Sequence, residues 1–229
     1  MIGAIVTDIE GTTGSIAFVR DVLFPYARSR LGAFVSARRN EPGVRLLLGD
    51  IARAAGDPAM TDAAIVANLE RWIDEDRKVT ALKTLQGLIW DEGYRQGDLR
   101  GHVYSDAVAA LRAWAKAGVR LYVYSSGSVA AQKLLFGHSI AGDLTPLFSG
   151  YFDTRIGAKK DARSYRALAA EIGLPGAAIL FLSDSPDELD AAAEAGFKTM
   201  QLARPEDGVL PSSRHPVAHS FAEIDIARI

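Results

Sequence analysis

The chain has 229 residues, a formal net charge of −2 at pH 7, 48% apolar and 24% charged residues, and no cysteine. That length can bury one domain or one and a half, and the near-neutral balance gives no basic surplus for nucleic acid and no charged tail for a membrane surface. The lack of cysteine excludes disulfides, thiolate metal sites and a cysteine nucleophile. An apolar run begins close to Met1, leaving no room for a signal peptide, and no apolar run approaches membrane-spanning length. A soluble, cytoplasmic, monomeric protein is therefore expected, with a small molecule as partner and neither nucleic acid nor membrane.

Residues 4–13 read Ala-Ile-Val-Thr-Asp8-Ile-Glu10-Gly11-Thr-Thr, an apolar run ending in carboxylates, then glycine and hydroxyls. Strand side chains alternate with a period of two, so Asp8 and Glu10 lean the same way from the carboxyl end, and Gly11 lets the backbone turn. The pattern suits phosphoryl chemistry. One carboxylate attacks phosphorus, a divalent metal offsets charge, and the second carboxylate moves a proton. The same residues also fit a plain turn with a helix cap.

From about 16 to 100 the signals are helical. Residues 17–39 are long and amphipathic, with Pro25 bending or restarting the helix. Thr61 is a candidate N-cap for 62–78 and Thr80 for 81–92, with turns expected at 41–43 and 56–58. Beyond 104, apolar runs at 121–124, 178–182 and 198–202 alternate with helices at 105–117, 165–172 and 186–195, stopped by Gly118, Gly173 and Gly196. That rhythm indicates a parallel sheet with crossover helices. The expected fold is α/β, a doubly wound, Rossmann-like core built from residues 1–15 and 104–229, with an all-helical insert at 16–103.

In such sheets ligands bind outside the carboxyl ends of the strands. The run 121–124 delivers Ser125, Ser126 and Gly127, and the run 178–182 delivers Ser183 and Asp184, with Glu188 a helical turn on. Lys159 and Lys160 precede a helix between them. Ser125 and Ser126 either hold phosphate oxygens or cap the next helix. The lysines either offset phosphoryl charge or are solvated. Asp184 ends a buried run and so needs a partner or a metal. Glu188 has capping-box spacing in Ser185-Pro-Asp-Glu188, and either caps or supports a metal site. Trp72, Trp90 and Trp114 fit core positions, Arg38 and Arg39 a solvated helix end, and His215 and His219, with Pro216 between them, make a poor zinc pair.

Asp8-Ile-Glu10-Gly-Thr12, Ser125, Lys159 and Asp184 follow the order and spacing of the four motifs of the haloacid dehalogenase-like superfamily, with Glu10 where aspartate is usual. Within it the chain closely resembles the acireductone synthase family, the bifunctional enolase-phosphatases of methionine salvage. The matching stretches are Asp8-Ile-Glu-Gly-Thr-Thr13, Ile16-Ala-Phe-Val-Arg-Asp-Val-Leu-Phe-Pro-Tyr26, Leu82-Lys-Thr-Leu-Gln-Gly-Leu-Ile-Trp90 and Tyr124-Ser-Ser-Gly-Ser-Val129. Gln132-Lys-Leu-Leu-Phe-Gly-His-Ser139, Gly142-Asp-Leu144 and Phe148-Ser-Gly-Tyr-Phe-Asp-Thr154 complete them, so the resemblance covers nearly the whole chain.

The resemblance implies enolisation and then dephosphorylation of the phosphorylated diketone 2,3-diketo-5-methylthiopentyl-1-phosphate. It implies magnesium held by Asp8, Asp184 and the backbone carbonyl of Glu10. Ser125 and Ser126 bind substrate, and Lys159, in Gly157-Ala-Lys159, takes the motif lysine position rather than Lys160. Asp8 is then the nucleophile, and Glu10 the acid, the base and the simplest candidate to take the carbon-bound proton. The helical insert becomes a cap, with Lys78, Lys83, Gln86 and Trp90 as candidates to face the site. Two other readings carry the same acids: a phosphatase for another small phosphate ester, and a phospho-accepting receiver module. The residue Glu10 and the cap motifs weigh against the first, and the long helical insert against the second. A dinucleotide binder is disfavoured because residues 11–14 lack the three-glycine pattern.

Overall fold

In the computed structural model, which describes every residue except Asp76 and Lys78, the chain opens with β1 (Ala4–Thr7), buried throughout. A short helical turn, α1 (Ile16–Phe18), runs through a π-helical turn at Val19–Leu23 into α2 (Phe24–Arg38), followed by α3 (Pro42–Ala54), α4 (Asp62–Asp74) and α5 (Thr80–Gln96). Then come α6 (Ser105–Lys116), β2 (Arg120–Tyr124), α7 (Val129–Gly137), β3 (Phe148–Phe152), α8 (Ala162–Ile172), β4 (Ile179–Ser183), α9 (Pro186–Glu194), β5 (Lys198–Leu202) and β6 (Val217–Ala218). The chain packs as two compact units, Met1–Phe18 with Arg100–Ile229, and Val19–Leu99.

The first unit is built on a parallel sheet of six strands in the order β3-β2-β1-β4-β5-β6. Strand side chains alternate between faces, and the two faces of β1 feed different cores. Ile5 joins Leu121, Val123 and Leu180 against Leu111 and Trp114 of α6. Ala4 and Val6 join Tyr124 and Phe181 against Tyr165 and Leu168 of α8 and Leu189 of α9. Burial on both faces explains why β1, β2 and β4 read as unbroken apolar runs. The chain moves outward from β1 in both directions, so the crossover direction reverses there and a crevice opens at its carboxyl end. Asp8 is the residue that β1 delivers to it.

The second unit has its own apolar core, centred on Leu31, Ile51, Leu69, Trp72 and Leu85. Trp72 is fully buried, and Trp90 turns its indole N–H to the Leu23 carbonyl at 2.8 Å. Among the described residues no helix is long and apolar enough to cross a membrane.

Several elements differ from the sequence expectation. Over 17–39, where Pro25 is expected to bend or restart the helix, a π-helical turn precedes a restart at Phe24, and Pro25 sits in the first turn of α2, where its missing N–H is harmless. Thr61 caps α4, accepting from the Ala64 N–H at 3.3 Å. Thr80 is not a cap. The extended residue is Val79, and Thr80 is already helical, its carbonyl accepting the Thr84 hydroxyl. Helix α4 ends at Asp74. Pro42 and Gly43 open α3 rather than forming a turn. Gly173 closes α8 as expected, left-handed at φ 71° with its N–H on the Ala169 carbonyl. Strands β3 and β6 and helix α7 had no strong sequence signal.

Leu111 is fully buried between α6 and the sheet. Its truncation to alanine should cost about 2–5 kcal/mol through lost burial and the residual cavity. Urea unfolding followed by circular dichroism checks this, and an unchanged midpoint would contradict the assigned core.

Candidate active site

Asp8 extends β1 by one residue, donating its N–H to the Leu182 carbonyl at 2.9 Å. Its own carbonyl accepts the hydroxyls of Thr7 and Thr13, each at 3.0 Å. The backbone is thus fixed on both sides, and the carboxylate, only 8% exposed, faces Lys159, with Oδ1 and Nζ 2.7 Å apart. Lys159 Nζ also lies 2.6 Å from Glu188 Oε2, which accepts the Ser183 hydroxyl at 2.9 Å. Glu188 therefore turns to the lysine rather than capping α9, whose N-cap Ser185 makes no side-chain capping bond. Lys160 points elsewhere, exposed and paired with Asp187 at 2.8 Å.

The loop that presents Lys159 is held by three hydroxyls on consecutive carbonyls. Tyr124 donates to Gly157 at 3.0 Å, Ser164 to Ala158 at 2.8 Å, and Tyr165 to Lys159 at 2.7 Å. A long, flexible side chain is thereby aimed from a rigid backbone.

Asp184 follows β4 and packs against the loop after β1. A Cβ on Gly11 would sit 2.8 Å from Asp184 Oδ2, and Gly11 has φ 69°, so side chain and backbone conformation both demand glycine. Thr12 joins the two loops, its hydroxyl accepting the Asp184 N–H at 3.0 Å. Asp8 and Glu188 thus share one ammonium, and Asp184 feels all three charges without pairing with the lysine. Burial, then the charges of Asp8 and Glu188, push Asp184 up to about 7 against the pull of Lys159. Glu188 is raised by burial and by Asp8. Burial works against the charged form of Lys159, but Asp8 and Glu188 outweigh it and raise its affinity for the proton.

Ser125 follows β2 directly, its N–H on the Phe152 carbonyl at 3.2 Å and its hydroxyl accepting the Gly127 N–H at 3.2 Å. Ser126 is exposed. Neither caps α7, because Ser128 does so through the Ala131 N–H. Buried Gln132 braces this turn through the carbonyls of Gly127 and Phe152. Glu10 is exposed on the loop between Asp8 and Gly14. Of the cap candidates, Gln86 is buried, Lys83 and Trp90 are half-buried, and Lys78 lies outside the described residues. His215 bonds Thr199 and Asp190, and His219 bonds the Ala203 carbonyl, so the histidines have separate structural partners.

Sequence reasoning missed Thr12 as the joint between the acid-bearing loops, and Gln132 and Tyr165 as braces. Their bonds go to residues far away in the chain or to backbone carbonyls, which leave no motif.

The raised Asp184 has a consequence for stability. A carboxyl whose folded pKa lies above its unfolded value stabilises the fold below pH 4, and that contribution is lost as pH rises through about 7. In chelator, Asp184→Asn should therefore gain about 1–3 kcal/mol relative to the parent between pH 4 and pH 8, after discounting for partial exposure. Urea titrations at several pH values measure this, and a pH-independent difference would sink the assignment.

Residues 2–196 match the family described as haloacid dehalogenase-like hydrolase. Over 224 residues the chain is 59% identical to Enolase-phosphatase E1 of Methylococcus capsulatus, covering 98% of each chain. It is 55% identical over 224 residues to Enolase-phosphatase E1 of Klebsiella oxytoca, covering 98% of this chain and 97% of that one. The crystal structure of the UTR4 protein of Saccharomyces cerevisiae is similar with a TM-score of 0.83 at 33% identity, over 98% of this chain and 100% of that one. The chain belongs to the haloacid dehalogenase-like hydrolases and, within them, to the enolase-phosphatase E1 family.

Proposed function

We propose that the protein is a bifunctional enolase-phosphatase that converts the diketo methylthiopentyl phosphate to its acireductone, first by enolisation and then by dephosphorylation through an aspartyl-phosphate. The observation that carries this is the buried Lys159 ammonium 2.7 Å from Asp8, at the carboxyl end of the central strand. The names of the full-length relatives supply the enolase half of the reading.

Lys159 holds Asp8 Oδ1 and so leaves Oδ2 to attack phosphorus in line. The same ammonium offsets charge on the phosphoryl oxygens. Ser125, Ser126 and the N–H groups of their turn hold those oxygens. Glu10 protonates the leaving oxygen, then deprotonates the water that hydrolyses the acyl phosphate. In the enolisation step Glu10 takes the carbon-bound proton.

The donor set fits magnesium. Asp8 and Glu188 set two negative charges against the single ammonium of Lys159, Asp184 adds a third when ionised, and all the donors are hard oxygens. Among the described residues no three acidic or histidine side chains group closely enough to hold an ion alone. The ligands would be Asp8, Asp184 and the Glu10 carbonyl, completed by water, as magnesium usually keeps several. When bound there the ion supplies charge compensation and Lewis acidity.

The helical unit is proposed as a cap that keeps water from the reaction, with Lys83, Gln86 and Trp90 as its candidate substrate contacts. A small phosphorylated metabolite as sole partner suits a monomeric cytoplasmic enzyme.

With the diketo phosphate and magnesium, enediol absorbance and phosphate release should both appear. Chelator should abolish phosphate release, and Asp8→Asn should lower it by about 10³-fold or more. Lys159→Ala should lower it by roughly 10²–10³-fold, the scale of losing a preorganised charge. Phosphate release from generic esters without an enol signal would favour a simple phosphatase, and stable phosphorylation without turnover a receiver. Either outcome would overturn the proposal.

A further inference from the structure

The first unit buries a second cation outside the reaction centre, and its bonds lead back to the loop that bears Glu10. Arg204, two residues beyond β5, is 2% exposed. Its Nε donates to the Thr12 carbonyl at 2.7 Å, and its terminal nitrogens reach the Asp106 carboxylate at 3.3 and 2.8 Å. The guanidinium lies 3.9 Å from the centre of the Tyr104 ring. Thr12 is thus gripped from two directions, its carbonyl by Arg204 and its hydroxyl by the Asp184 N–H.

Asp207 continues the brace. Its Oδ1 accepts the Ser15 hydroxyl at 3.1 Å and the Ile16 N–H at 2.9 Å, and its Oδ2 accepts the Tyr104 hydroxyl at 2.8 Å. The Tyr104 N–H in turn donates to the Thr13 carbonyl at 2.9 Å. One carboxylate therefore ties the segment leaving the site loop, 15–16, to the segment returning at 104. Among the described residues neither Arg204 nor Asp207 bonds to Asp8, Lys159, Glu188 or Ser125.

A buried guanidinium is costly unless every donor finds a partner, and here those partners are the backbone of the site loop and its supports. Asp8 has anchors outside the brace, its N–H on Leu182, the Thr7 hydroxyl on its carbonyl and its ion pair with Lys159, and meets the braced segment through the Thr13 hydroxyl. The brace therefore bears on the rest of the loop, where Glu10 sits. We infer that Arg204 and Asp207 are positioning residues for proton transfer by Glu10, acting through the backbone of residues 11–16. This rests on the acid role proposed above for Glu10. Lysine cannot replace Arg204, because only a planar fork serves Thr12 and Asp106 together while stacking on Tyr104.

The brace predicts a selective defect. An alkyl ester needs a proton on its leaving oxygen, whereas p-nitrophenyl phosphate expels a stable anion unaided. The test uses the full chain with magnesium, on the diketo phosphate and on p-nitrophenyl phosphate. In Arg204→Lys and Asp207→Ala, kcat on the diketo phosphate should fall about tenfold or more with KM changed less than about twofold. On the aryl ester the pre-steady-state burst of p-nitrophenolate, which reports phosphorylation of Asp8 before the water step that both esters share, should stay within about twofold. Asp207→Asn keeps an oxygen for Ser15 and Ile16 and should recover to within about threefold of the parent. Tyr104→Phe, which loses one hydroxyl, gives a milder selective loss if the Arg204 variant does not fold.

Equal losses on both esters, or no loss, would overturn the inference, as would failure of asparagine to rescue. Glu10→Gln in the same assay separates the two ideas. If it shows no leaving-group selectivity, the acid role of Glu10 fails, and amide exchange across 11–16 decides on the brace. Faster exchange in Arg204→Lys and Asp207→Ala sustains it, and unchanged exchange removes it.

Discussion

The ammonium of Lys159, 7% exposed and set between Asp8 and Glu188 at 2.7 and 2.6 Å, is the contact around which the catalytic edge is organised. A lysine taken out of water is tolerated only with compensation, and here one cation meets a carboxylate from the loop after β1 and another from the first turn of α9, which follows β4. The lysine itself arrives from the segment between β3 and α8. Three connections are therefore locked at one point. Removing the ammonium would leave Asp8 and Glu188 buried with like charge, so the same contact that aligns a nucleophile also keeps the edge assembled.

The topology explains why the charges gather there. Every strand is parallel, so the carboxyl ends of β1, β2 and β4 share one edge. With β1 central and neighbours on both sides, its last residue meets loops from both halves of the sheet. Backbone bonds finish the alignment: Asp8 to Leu182, Ser125 to Phe152, and the Asp184 N–H to Thr12. Side chains that must meet within hydrogen-bond distance are thus carried on short loops anchored to a rigid sheet.

What the sequence made legible follows from which signals are local. Continuous apolar runs betrayed β1, β2 and β4 because a central parallel strand is buried on both faces. β3 escaped notice because Phe148–Phe152 carries Ser149 and Gly150 at the sheet edge and is only partly buried. Asp8 and Asp184 could be placed because each ends such a run. Glu188 could not be settled, since its spacing from Ser185 serves a capping box and an inward-facing acid alike. Arg204 was beyond reach for a different reason. Its bond to Thr12 spans 192 residues of sequence, and no local pattern encodes it.

The contrast between Asp8 and Glu10 ties these points to chemistry. Asp8 is 5% exposed and locked by backbone and ion pair, whereas Glu10, two residues on, is exposed just before a left-handed glycine. A nucleophile gains from being desolvated and aimed, because attack requires one geometry. A group that gives a proton and then takes one back must instead stay in contact with water. Burying Glu10 beside Asp8 would add a fourth carboxylate to a cluster that already pushes Asp184 up to about 7. The surplus negative charge is unfavourable in the isolated chain and would be relieved by the divalent cation proposed for this edge. A left-handed glycine just past the proposed acid, with a brace on the far side of the loop, lets one short segment serve both demands.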